Sequence, residues 1–154
     1  MSDDRWLEID SGIAAAVSHF ASAVGIYRLP GLHDDSMTGY IQRMAFMHAM
    51  QSGYTSLETS LIRIMETRGE DTPSGRRWCE DLIHRAGRPT NTRPPILPES
   101  LLPKIDRARE FRHAAAHAYD NFDPDDAEPA VRAAEKIAAE LTSAIAAFRT
   151  ATDP

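Results

Sequence analysis

The chain has 154 residues, 42% of them hydrophobic and 26% charged, the size and balance of one globular domain spanning residues 1–154 with a respectable core. With 17 Lys and Arg against 23 Asp and Glu, its formal charge is -6, so the molecule as a whole does not attract polyanions and any nucleic-acid contact must come from a local basic patch. Its one cysteine, Cys79, excludes an internal disulfide, fits a reducing cytoplasm and reads as a small packing residue, while the acidic start Met-Ser-Asp-Asp-Arg with no long apolar run behind it argues against a signal peptide or membrane span.

From about Arg5 to Arg28 the residues Trp6, Ile9, Ile13, Val17, Phe20, Val24 and Tyr27 recur at spacings of three and four, which predicts an amphipathic helix ended by Leu29-Pro30-Gly31. His19 beside Phe20 reads as a boundary or surface histidine. Asp34, Asp35 and Ser36 offer caps for a second, longer helix to about Arg68, with Tyr40, Met44, Met47, Gln51, Tyr54, Glu58, Leu61 and Met65 on one stripe. The methionines from Met44 to Met50 read as packing. Glu58 is polar within that stripe and reads as an exposed edge position; the sharper alternative makes Glu58 or Gln51 the partner of an inward arginine elsewhere in the bundle.

Thr72-Pro73 has the form of a cap followed by a first-turn proline, predicting a short helix to about Ala86 that buries Trp78, Leu82 and Ile83. Arg76, Arg77, His84, Arg85, Arg88 and Arg93 make the surrounding segment basic, by default a solvated face and otherwise the best phosphate-backbone patch on an acidic protein. Pro89, Pro94, Pro95 and Pro98 then enforce an extended connector. A fourth helix begins between Pro98 and Pro103 and ends around His117 to Tyr119. Asp123 caps the last one, with Pro124 at its first position and Asp125 and Asp126 in the first turn, a spacing wrong for a calcium loop. Ala127, Val131, Ala134, Ala138, Leu141, Ile145 and Phe148 carry that helix to about Arg149, and the tail from Thr150 to Pro154 should fray. These stripes and breaks predict an all-α antiparallel bundle of four long helices plus a short one near residues 73 to 86.

Chemistry-bearing residues concentrate at the end of the fourth helix, in Arg109-Glu-Phe-Arg-His-Ala-Ala-Ala-His-Ala-Tyr-Asp120. On a helical wheel Arg112 continues the apolar line of Leu101, Ile105 and Ala108, so a guanidinium that cannot lose its charge points inward and needs a carboxylate or an anionic ligand. His117 lies about 140° round the wheel and roughly 7 Å along the axis, so the two converge on one small anion only if the helix bends or another chain contributes. His113 and His117, one turn apart, could start a metal site, but zinc needs a third protein ligand and no HExxH glutamate lies between them. An ordinary helix end, with His117 on the C-terminal dipole and Tyr119 packed, is the plain alternative.

Arg112, His117 and Tyr119 form R-x4-H-x-Y, which resembles the signature of the HEPN superfamily, in particular its HepT-type toxins; the resemblance covers chain length, helicity and a late motif followed by one long helix. It implies a HEPN-like helical domain and a metal-independent endoribonuclease acting without cofactor at a homodimer cleft, in the cytoplasm, neutralised by a partner nucleotidyltransferase antitoxin. Arg112 and His117 would be catalytic, His113 supporting, and Tyr119 a substrate-positioning group and the hydroxyl that the antitoxin modifies with AMP. Metal-free RNA cleavage needs such groups: imidazole moves protons near neutral pH and arginine stabilises charge on the phosphorane. The alternative is a non-catalytic HEPN nucleotide-binding or scaffold module that partners a nucleotidyltransferase.

Overall fold

A computed structural model describes residues 2–117 and 122–153, and these form five α-helices with no strand among the described residues. The helices are α1 (Ser2–Tyr27), α2 (Met37–Thr67), α3 (Trp78–Ala86), α4 (Leu102–His117) and α5 (Glu128–Thr152). Short 3-10 turns, Glu99–Leu101 and Pro124–Ala127, lead into α4 and α5. The fold is thus the predicted all-α bundle of four long helices and one short one.

The amphipathic stripes explain the assembly. Trp6, Ile9, Ile13, Ala16, Phe20 and Ala23 of α1 are buried against Met47, Met50, Tyr54, Leu57, Leu61 and Met65 of α2 and Leu141, Ile145 and Phe148 of α5, in one continuous core. The α1–α2 hairpin is antiparallel: Tyr27 touches Phe46, while at the other end Arg63 reaches Glu8 at 3.9 Å. Between them Gly12 passes Ser60 so closely that an added Cβ would stand 2.3 Å from its Oγ, so a larger residue there would have to displace the Ser60 hydroxyl. Residues 4–27 are long and apolar enough to cross a membrane by length and composition alone, contrary to the expectation of no such run; here their apolar face packs into the core. Ser36 caps α2 as predicted, its Oγ accepting from the Gly39 amide.

Two boundaries depart from expectation. The third helix starts at Trp78, five residues after Pro73, because Gly75 takes φ 98° and interrupts any helix begun at Thr72; Pro73 itself is buried in the loop. The last helix runs further than expected, through Thr152, and Asp153 accepts hydrogen bonds from Trp6 Nε1 at 3.0 Å and Arg68 Nη2 at 2.6 Å, while Pro154 lies outside the described residues. Three elements distant in sequence therefore meet at one carboxylate, which offsets the entropy that would otherwise loosen a chain end. At the other end of the bundle, Asp123 caps the 3-10 turn by accepting from the Asp125 amide at 3.0 Å, so the predicted cap precedes a tight turn before α5 proper.

Candidate active site

Helix α4 packs on α2, α3 and α5 and buries Ile105, Ala108 and Ala115. That face sets the direction of Arg112, which the wheel puts on the same side. Its guanidinium reaches Glu58 on α2 through two bonds, Nη1 to Oε1 and Nη2 to Oε2, each 3.2 Å. One guanidinium face lies over the Tyr54 ring at 4.2 Å, and Nη2 also donates to Cys79 Sγ at 3.5 Å. Glu58 is 7% exposed, so its reading as an exposed edge position is corrected. A buried carboxylate needs a charged partner, and Arg112, fifty-four positions along the chain, supplies it.

The field of Glu58 is felt by its neighbours. Burial, reinforced by the Glu58 charge, raises the Tyr54 phenol well above its ordinary range, and the same two causes raise the Cys79 thiol. Both groups therefore stay protonated near neutral pH. Cys79 does more than pack: it sits on the arginine. Nothing around it in sequence signals this, whereas Tyr54 and Glu58 share one face of α2 four residues apart and could have been paired on the wheel.

Arg112 is not used up by these contacts. A guanidinium has five N–H donors, and Nε–H and one Nη1–H have no partner among the described residues. The side chain is 23% exposed and lines an open groove of about 500 Å³ with Gln51, Thr55, Cys79, Arg109, His113 and Ala116. Arg109 is braced there by Asp106 at 2.9 Å and Glu80 at 3.6 Å. Gln51, the other expected partner for the arginine, is a wall of the groove, and the carboxylate of Glu58 takes the guanidinium instead.

His113 is exposed on the groove and His117, one turn on, is exposed beside it; their rings meet edge to face with centroids 4.6 Å apart. The structure thus brings Arg112 and His113 to one groove and reaches His117 only through His113. Tyr119 lies outside the described residues. Among those residues no three metal-ligating side chains come together. Ala115 is buried while Ala114 and Ala116 are exposed, so this turn offers small residues to whatever covers it.

The basic segment splits in two. Arg93 is buried, its side chain fully covered, and all five of its donors are engaged: Nε and Nη2 by Glu70, Nη2 also by the Arg85 carbonyl, Nη1 by the carbonyls of Arg88 and Pro94. It holds the proline-rich connector to α3 and is withdrawn from any surface patch. Arg76, Arg77, His84, Arg85 and Arg88 remain exposed.

A family model described as HepT-like protein matches residues 45–152, from the middle of α2 to the end of α5. The chain belongs to the HepT-like family. No curated protein and no solved structure matches it. The match spans every residue of the groove, so this HepT-like protein carries its arginine and both histidines inside the part that defines the family.

Proposed function

We propose that this HepT-like protein is a metal-independent endoribonuclease toxin that cleaves RNA in the cytoplasm at a homodimer cleft and is held in check by a nucleotidyltransferase antitoxin. The observation that carries the reading is the Arg112 guanidinium: anchored on one side by Glu58 and Tyr54, it keeps two N–H groups without a partner among the described residues on the wall of a groove shared with His113. Those donors suit a phosphate oxygen, and a prepositioned cation stabilises the negative charge of a phosphorane. In the reaction a neutral imidazole takes the ribose 2'-OH proton as the 2'-oxygen attacks phosphorus. A protonated imidazole gives a proton to the departing 5'-oxygen, leaving a 2',3'-cyclic phosphate and a 5'-hydroxyl.

His117 is the transfer group in this scheme, and its place one turn beyond the groove favours a cleft completed by a second copy. Tyr119 would position substrate and accept AMP, adding bulk and negative charge beside the site. One observation favours the second reading, a non-catalytic nucleotide-binding or scaffold module: the arginine fork already grips a carboxylate. Cleavage of single-stranded RNA in EDTA by the folded, unmodified protein separates the two. Cleavage that is lost in His117→Ala supports the nuclease; none by the wild type supports the module.

A further inference from the structure

Most arginines of this protein are already committed. Arg28 holds Glu135, Arg63 faces Glu8, Arg68 holds Asp153, Arg132 holds Glu128, and Arg93 is wholly internal. Arg76, Arg77 and Arg88 differ: all three are exposed and make neither an ion pair nor a hydrogen bond through their side chains among the described residues. Arg85, between them, ties one donor to the Asp71 carbonyl and stays exposed. These four cations, with His84, gather around one nine-residue helix on a chain whose formal charge is -6.

Their position relative to the groove gives the run its meaning. Cys79, in the first turn of α3, lines the groove and touches Arg112, while Glu80 pairs with Arg109 on α4. Arg76 and Arg77 immediately precede that turn. From Arg77, the N-cap of α3, the exposed positions His84 and Arg85 follow on the outer side of the helix, roughly 12 Å along its axis at 1.5 Å per residue, and exposed Arg88 stands just past its end at Ala86. Arg76 and Arg77 precede Cys79 in sequence, while His84 and Arg85 lie on the face of α3 turned away from Cys79, Leu82 and Ala86, so the run passes outward from the end of the helix that touches the groove. Among the described residues the exposed acids beside the run are Asp81 on the helix and Asp71, whose carbonyl accepts from Arg85.

We infer that Arg76, Arg77, Arg85 and Arg88 form a track for the phosphate backbone of single-stranded RNA, leading the strand into the Arg112 groove. This rests on the ribonuclease reading and adds the surface that would hold the substrate outside the reacting phosphate. RNA is favoured over an acidic protein because no large hydrophobic is exposed on α3 among the described residues, its Trp78 being partly buried and packed against the core. The large exposed hydrophobics are Leu7, Leu29, Met37, Tyr40 and Ile41, all on α1, α2 or the loop between them, whereas Leu82, Ile83 and Ala86 of α3 are buried. Protein interfaces draw their affinity from apolar or aromatic anchors, while backbone binding needs only accessible cations.

The test uses the full chain and a short single-stranded 2'-O-methyl RNA, which binds but offers no free 2'-hydroxyl for cleavage. Its affinity is followed across a salt series for wild type, for Arg76→Ala/Arg77→Ala/Arg88→Ala, and for Arg28→Ala/Arg132→Ala as a charge control. The triple variant should bind at least about tenfold more weakly, with a log–log salt slope shallower by about 0.7 per arginine removed. The control should match wild type. On ordinary RNA the triple variant should raise KM for an oligonucleotide and leave a dinucleotide unaffected. Equal affinity and equal slope in the triple variant would overturn the track, as would a wild type that does not bind the probe or a control that loses as much as the triple. A track that passes with no cleavage of ordinary RNA sinks only the nuclease; cleavage with an unchanged triple variant sinks only the track.

Discussion

Two arginine–glutamate pairs in this protein are both bidentate, Arg93 side-on through Nε and Nη2 and Arg112 end-on through Nη1 and Nη2, and they have opposite surroundings. Arg93 and Glu70 are enclosed, with three carbonyl oxygens taking every donor that the carboxylate leaves. Arg112 and Glu58 stand at the edge of a groove, backed by a tyrosine ring and a thiol, with two donors lacking a partner among the described residues. The difference teaches how to tell a structural guanidinium from one available to a ligand: count the N–H groups that the protein itself satisfies, because buried donors without acceptors are costly and persist only where something else meets them.

The sharpest way to break this comparison is to remove each arginine. Arg93→Ala leaves Glu70 and three carbonyls without their donor, so urea unfolding should show a loss of about 3–5 kcal/mol, the range for orphaning one member of a buried pair. A loss below about 1 kcal/mol would mean that water already serves those oxygens. Arg112→Ala should lie on the other side. RNA cleavage by protein confirmed as folded should fall at least about 100-fold, as should that of His117→Ala, the usual range for one charge-stabilising or proton-transfer group. His113→Ala should cost less, since its part is supporting; an equal loss would move the proton-transfer role to the histidine that lines the groove.

A smaller effect distinguishes the hydroxyl from the ring at Tyr119. Tyr119→Phe should retain much of the cleavage and lose AMP transfer by a nucleotidyltransferase partner, read by mass spectrometry; modification that persists would point to another acceptor. The smallest effect concerns Asp153, whose carboxyl is held below its usual range first by the Trp6 indole N–H and then by Arg68. A lowered folded value means that this contribution is complete above the ordinary carboxylate range and disappears as pH falls through the lowered value. Between about pH 6 and about pH 3 the urea midpoint should therefore drop less in Asp153→Ala than in wild type. Parallel decline in the two proteins would remove Asp153 from the acid response.

The parts of the fold that sequence predicts well are those governed by local period. The α5 stripe from Ala127 to Phe148 is buried at Val131, Ala134, Leu141, Ile145 and Phe148, and the cap at Asp123 is where its chemistry puts it. Misreadings arose where a distant group supplies what a local pattern lacks. Glu58 looks exposed until Arg112 arrives from another helix, and Arg93 looks like one more surface cation until Glu70 and three backbone carbonyls enclose it. Likewise Thr72-Pro73 satisfies every local rule for a helix start, yet a left-handed Gly75 two residues later prevails. The inward direction of Arg112 was legible because helical phase is itself a local property; the identity of its neighbours was not.

The thiol resting on Arg112 has a practical consequence. Cys79 is the single cysteine of the chain and forms part of the groove wall, so any alkylating dye will attach at one known point, a few ångströms from the guanidinium. With its thiol held protonated by burial and by Glu58, the uncatalysed labelling should be slow enough to time by hand. An occupant of the groove would slow it further, and the rate of colour development would then serve as a gauge of occupancy that needs no turnover, no radiolabel and no knowledge of which sequence the protein prefers.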